Sequence, residues 1–120
     1  MANVLIMENE PGIVMVLEMA LSEAGHQVSS VADGQAGIDL LLGGEIPDVV
    51  LLDLNMPGLD GRGVLAKMQQ SPGLCQIPVV LMTGDMLDDD ALPPRQQYAA
   101  ILRKPFDIWE LVRQVELLCD

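Results

Sequence analysis

Glu8, Asn9 and Glu10 follow one short apolar run, Asp53 closes a second, Thr83 follows a third, and Lys104 lies just beyond a fourth. A buried stretch such as VVLLD has no packing reason to finish in a carboxylate, so Asp53 calls for a chemical one. If the runs are strands of an open parallel sheet, ligands bind beyond their carboxyl ends. Acids, a hydroxyl and a lysine then converge on one rim. Acids crowded together raise one another's pKa unless a cation sits among them. An oxygen-lined cluster of this kind suits Mg²⁺, which keeps several waters and takes one or two carboxylates plus phosphate oxygens. A carboxylate can itself be the nucleophile in phosphoryl transfer, forming an acyl phosphate. A metal and a lysine then neutralise the charge that develops, and a hydroxyl binds an oxygen of the transferred group. These residue types are a complete set of parts for accepting a phosphoryl group.

The elements that must position them read as strand then helix, five times. Residues 3–8 are a short apolar run, followed by Pro11 at the first turn of a helix. Ile13, Val14, Leu17, Leu21 and Ala24 share one face of that helix, and Gly25 stops it. Residues 27–32 form a more polar strand, expected near an edge. Asp33 and Gly34 turn the chain into a second helix that runs to about Leu42 and is closed by Gly43 and Gly44. Residues 48–53 are nearly all β-branched or leucine, as expected of a parallel strand buried on both faces. A third helix runs from about Arg62 to Gln70, a fourth strand covers 77–82 and a fifth covers about 99–102. The last helix opens at Asp107 with Glu110 in capping-box spacing, over a stripe of Ile108, Leu111, Val112, Val115 and Leu118. Five βα units imply a parallel sheet covered on both faces. In the fourth connection, DMLDDDALPPRQQYAA, Pro93 and Pro94 cannot sit inside a helix. A helix there must be short, kinked, or begin at the prolines.

Composition sets the outer limits. A chain of 120 residues that is 50% hydrophobic is one domain, residues 1–120, with a packed core. Only one Trp, one Tyr and one Phe are present, so aliphatics and eight Met must fill that core. The net charge of −12 repels nucleic acid and anionic membranes, so neither is an expected partner. No apolar run approaches the roughly 20 residues of a membrane span. Cys75 and Cys119 match no metal or redox spacing and read as reduced thiols of a cytoplasmic protein. His26 reads as an exposed turn residue, and Trp109 lies next to, but off, the core stripe.

The stretches VLIMENEPGI, LLDLNMPGLDG, VVLMTGD and RKPF, with 30 residues from Asp53 to Thr83 and 21 from Thr83 to Lys104, resemble the receiver domains of two-component signalling over essentially the whole chain. The resemblance implies an α/β fold, a doubly wound five-stranded parallel sheet of (βα)5 flavodoxin-like type with strand order 2-1-3-4-5. It implies that Asp53 is phosphorylated by a histidine kinase or a histidine phosphotransfer protein, and that the domain catalyses only its own phosphotransfer and dephosphorylation. Lys104, before a cis Pro105, would contact the phosphoryl oxygens. Thr83 would bind the phosphate and pass on its presence to a downstream effector. Glu8, Asn9, Asp53 and the backbone carbonyl of Asn55 would hold Mg²⁺. No effector domain follows the last helix, as expected of a stand-alone receiver or one cut from a longer regulator or hybrid kinase.

Three positions depart from the family pattern. Receivers carry a second acid where Asn9 stands. One charge lost at about 4 Å is worth at most ~4 kcal/mol at an effective dielectric of 20, and a net loss of only ~1.4 kcal/mol weakens Mg²⁺ tenfold. Asn9 is also a good N-cap and can serve the first helix as well as the metal. Ile101 replaces the Tyr or Phe that swings inward when the threonine engages phosphate, and Tyr98 is three residues too early to stand in. Pro93 and Pro94 disrupt the face on which such domains present their activated state, where a weak homodimer would also form. Asn9 and Ile101 favour a second reading, a receiver-like interaction module that signals without phosphate. A metal-dependent phosphatase with an aspartate nucleophile would want an acid two residues after Asp53, where Asn55 stands.

Overall fold

Strand residues point alternately to opposite faces, and here both faces are apolar. In the computed structural model, which describes residues 1–84 and 92–119, that alternation builds two cores on one sheet. Strands β1 (Asn3–Met7), β2 (Gln27–Val31), β3 (Val49–Asp53), β4 (Val79–Thr83) and β5 (Ala100–Arg103) are all parallel, in the order β2-β1-β3-β4-β5. Val4, Ile6, Val49, Leu51, Val80 and Met82 face helices α1 (Pro11–Glu23) and α4 (Ile108–Cys119), meeting Leu17, Leu21, Leu111, Val112 and Val115. Leu5, Met7, Val50, Leu52, Val79 and Leu81 face α2 (Gly34–Leu42) and α3 (Gly61–Gln69), meeting Ile38, Leu41, Val64, Leu65 and Met68. Each such aliphatic side chain contributes about 1.5–3 kcal/mol on burial. The doubly wound five-stranded sheet expected from the sequence is thus the observed one. The more polar β2 lies at an edge.

The punctuation is also local. Gly25 and Gly44 adopt φ of 93° and 97° just past α1 and α2, where an L side chain would be strained. Asp33 and Asp60 cap α2 and α3, accepting from the backbone N–H groups of Ala36 and Gly63. Helix α1 has Pro11 in its first turn and Glu10 at the N-cap without a side-chain cap bond, so Asn9 is not the cap. Asp107 caps α4 by accepting from Trp109 N–H. Glu110 does not complete the capping box, because its carboxylate is held by Arg113 and Gln114.

The expectation for His26 changes, and that for the fourth connection holds in the part that is described. His26 is buried, not an exposed turn residue, because its Nδ1 accepts a hydrogen bond from Ala2 N–H at 3.0 Å and ties the start of β1 to the α1–β2 corner. The fourth connection contains a 3₁₀ turn, Arg95–Gln97, that begins directly after Pro93 and Pro94. Residues 85–91, where the first part of that expected helix falls, lie outside the described residues. Trp109 is well exposed. No helix among the described residues is long and apolar enough to cross a membrane.

Candidate functional site

Asp53 is the last residue of β3, continuing the face of Val49 and Leu51. The turn after it is pressed against α3. A Cβ on Gly61 would lie 2.7 Å from the Asp53 carbonyl oxygen and from the Leu54 Cα, so only glycine allows this approach. Leu54 N–H donates to Met82 O and Gly61 N–H donates to Leu54 O, which anchors the turn to β4. Asn55 N–H folds back to donate to Asp53 Oδ1 at 3.1 Å. On the neighbouring strand, Glu8 follows β1 directly, its backbone held by Glu8 N–H donating to Val31 O. Thr83 ends β4 fully buried, and its carbonyl accepts from Lys104 N–H at 2.6 Å. The chain then passes through a cis Lys104–Pro105 bond into α4.

The rim therefore gathers Glu8, Asp53, Thr83 and Lys104, all buried or nearly so. Lys104 Nζ lies 2.6 Å from Glu8 Oε1, 3.5 Å from Asp53 Oδ2 and 3.8 Å from Glu10 Oε1. It is no solvated surface lysine. Glu8 Oε2 also accepts from the backbone N–H groups of Asn9 and Glu10. Burial is the main reason that Asp53 is pushed up to about 6 from its ordinary 3.8; the adjacent Glu8 adds to the effect, and Asn55 N–H and Lys104 oppose it. For Lys104, burial works against the charge, but the hydrogen bond from Lys104 to Glu8 and the nearby carboxylates outweigh it and hold the ammonium above its usual range. An acid this reluctant to ionise, in contact with another, is a place where added positive charge lowers the energy.

The donors at the rim are all oxygens, which fits a hard divalent ion such as Mg²⁺. Among the described residues, no group of three or more His, Cys, Asp or Glu could hold a metal. Two carboxylates, Glu8 and Asp53, would have to be completed by neutral oxygens, from Asn9 and the Asn55 carbonyl. Asn9 is exposed beside Glu8, and Asn55 is exposed beside Asp53. These residues lie together at the carboxyl end of the sheet, the end to which the sequence assigns them. The sequence did not reveal that the nearest partner of Lys104 is Glu8 rather than Asp53, because no spacing rule joins residues 96 apart. Glu10, an exposed first-turn acid, stands at the margin of the cluster.

Residues 4–116 match the response regulator receiver domain family, and the chain belongs to it. It is 34% identical over 116 residues to the transcriptional regulatory protein TcrA of Mycobacterium tuberculosis, covering 96% of this chain and 45% of that protein. The chain thus spans less than half the length of that relative. Among solved structures it resembles a response regulator from Chloroflexus aurantiacus, with a TM-score of 0.88 and 26% identity over 98% of this chain and 97% of the other. It also resembles the receiver domain of a sensor histidine kinase from Pseudomonas aeruginosa, with a TM-score of 0.87, 26% identity and the same coverage; that structure has a magnesium ion coordinated in its active-site cleft. Members of this family are phosphorylation-driven conformational switches that catalyse only their own phosphotransfer and dephosphorylation.

Proposed function

We propose that this receiver takes its phosphoryl group on Asp53, from a phosphohistidine of a histidine kinase or phosphotransfer protein, with Mg²⁺ at the rim. One observation carries the reading: a buried strand ends in a buried carboxylate that faces a lysine and a second acid, at an elevated pKa. A carboxylate oxygen of Asp53 attacks phosphorus, forming a P–O bond as the donor's P–N bond breaks. The electron pair of that bond returns to the imidazole nitrogen of the donor. Lys104 would face the developing charge, and Thr83, at the end of the adjacent strand, would bind a phosphoryl oxygen through its hydroxyl. Glu8, Asn9, Asp53 and the Asn55 carbonyl would hold Mg²⁺, which would supply charge neutralisation at the phosphoryl oxygens. The acyl phosphate adds charge to a rim already crowded with acids, and this charge biases the surface around Thr83 and β5 towards a second state. That surface would address a downstream effector.

Intact mass after incubation with a small acyl-phosphate donor tests the assignment, with and without Mg²⁺ and beside Asp53→Ala. A Mg²⁺-dependent phosphoryl adduct that is absent from the variant is the expected result. No adduct in the wild-type chain, from that donor or from a kinase, would favour the phosphate-independent interaction module suggested by Asn9 and Ile101.

A further inference from the structure

The outermost strand of a sheet has unpaired backbone groups, and proteins ordinarily blunt such edges with lysines, prolines or bulges. Strand β2 has none of these. Its sequence is QVSSV, without charge or proline, and it pairs with β1 in unbroken register from Gln27 to Val31. Among the described residues no strand lies beyond it. Gln27 N–H donates to Ala2 O, and Val31 O accepts from Glu8 N–H, so the odd-numbered residues of β2 spend their backbone groups on β1. In a parallel ladder the alternate residues, Val28 and Ser30, then direct N–H and C=O away from the sheet. Both flanks of this edge are acidic. On the α1 side, Ser30 Oγ donates to Glu18 Oε1 at 2.9 Å, which keeps that carboxylate beside the strand. On the α2 side, where β3 presents Val50 and Leu52, β2 presents Gln27 and Ser29. With Asn3, Leu40, Glu45 and Ile46 these line a bay of about 280 Å³ at the amino end of the sheet. An apolar wall of Leu40 and Ile46 beside a carboxylate suits a long side chain with an apolar stem and a cationic head.

We propose that the free edge of β2 docks an extended, basic peptide segment of a partner protein, which adds to the five-stranded sheet as a further strand. The backbone of the segment pairs with Val28 and Ser30. Side chains of an added strand alternate between the two faces, so two adjacent basic residues put one over the bay at Glu45 and the other beside Glu18. Charge selects this occupant over a second copy of the chain. Pairing β2 with β2 would bring Glu18 and Glu45 of both copies towards one seam, between molecules that each carry a net charge of −12. The edge and its bay share no residue with the rim of Glu8, Asp53, Thr83 and Lys104. A segment held on β2 therefore leaves Asp53 open to a phosphoryl donor, and both can be bound at once.

The probe is a short capped peptide in which Val and Thr flank an adjacent Arg–Lys pair, titrated into the full chain and followed in ¹H–¹⁵N correlation spectra. Shifts should gather at the amides of Val28, Ser30, Glu45 and Ile46 and leave Asp53, Thr83 and Lys104 in place. The same peptide N-methylated at alternate backbone positions keeps its charge but loses strand pairing, so it should not shift Val28 or Ser30. Glu45→Lys, at an exposed loop position, should weaken binding about tenfold, equivalent to ~1.4 kcal/mol. Ser30→Pro, which removes an outward N–H and no bond to β1, should abolish it. No shift at millimolar peptide overturns the proposal. Equal binding by the N-methylated form also overturns it, by reducing the effect to charge attraction alone. Sedimentation of the peptide-free chain as a dimer, with the Val28 and Ser30 amides protected from exchange, would assign the edge to a second copy and overturn it equally.

Discussion

The two ends of the β4–β5 ribbon bury polar groups in opposite ways. At the carboxyl end, beside Thr83, the charges of Lys104, Glu8 and Asp53 meet in a buried space, and that burial, with Glu8 adjacent, raises the Asp53 pKa to about 6. At the amino end, the Tyr98 ring is buried in the core beneath α2 and α3, with the Arg95 guanidinium 4.9 Å above it. Arg95 also donates to Tyr98 O at 2.7 Å, so the corner after the prolines closes on itself. Thr83 is paired with Arg103, five residues beyond Tyr98, which puts about 16 Å of strand between the two ends at ~3.3 Å per residue. One end is charged and poised, the other packed and satisfied. Tyr98 is thus too distant to replace the switching aromatic missing at Ile101, which itself packs against the same core as Tyr98. In this receiver, the packed corner and the proposed phosphate site sit at opposite ends of the same two strands.

Removing the packed end should have the largest effect. Tyr98→Ala is expected to cost about 3–4 kcal/mol, as for other large aromatic truncations, measured by urea unfolding. The folded fraction should still accept phosphoryl at the normal extent. A variant that keeps its stability but loses phosphorylation would erase the distinction between the two ends.

Asp53→Asn should act in the other direction. A carboxyl with a folded pKa of about 6 against an ordinary 3.8 binds its proton more tightly in the native state. Native stability therefore falls as pH rises from near 4 to near 6, and the ionised acid remains a burden above that. In metal-free buffer near neutral pH, Asp53→Asn should gain about 3 kcal/mol, and the gain should vanish as pH falls towards 4. Thermal unfolding across this range measures it. A gain that does not depend on pH would place its origin elsewhere.

Thr83→Ala should have the smallest effect on stability, about 1 kcal/mol for a buried hydroxyl. The adduct on Asp53 should still form. Spectral changes in β5 on phosphorylation, read in ¹H–¹⁵N correlation spectra, should shrink. If they persist undiminished, the threonine does not connect the phosphate to the surface.

Much of this was legible in the sequence, for a physical reason. Continuous runs such as VVLLD and VVLMT point to strands covered on both faces, so the layers follow, while the strand order came from the family resemblance alone. The strand ends then bring Glu8, Asp53, Thr83 and Lys104 together with no further information. Contacts that depend on side-chain choice among neighbours were not legible. Lys104 picks Glu8 over Asp53 by about 1 Å of reach. His26 is buried where the backbone N–H of Ala2 meets it, and Glu110 pairs with Arg113, which lies one turn ahead on the solvent-facing side of α4.

The most direct test of the account is a ¹H–¹⁵N titration with beryllofluoride and Mg²⁺, the acyl-phosphate mimic. Shifts should gather at Glu8, Asp53, Thr83, Gly84 and Lys104 and fade along β4 and β5 before Tyr98. An unresponsive spectrum would contradict the phosphoacceptor assignment, and shifts as large at Tyr98 and Arg95 as at the rim would contradict the separation of the two ends.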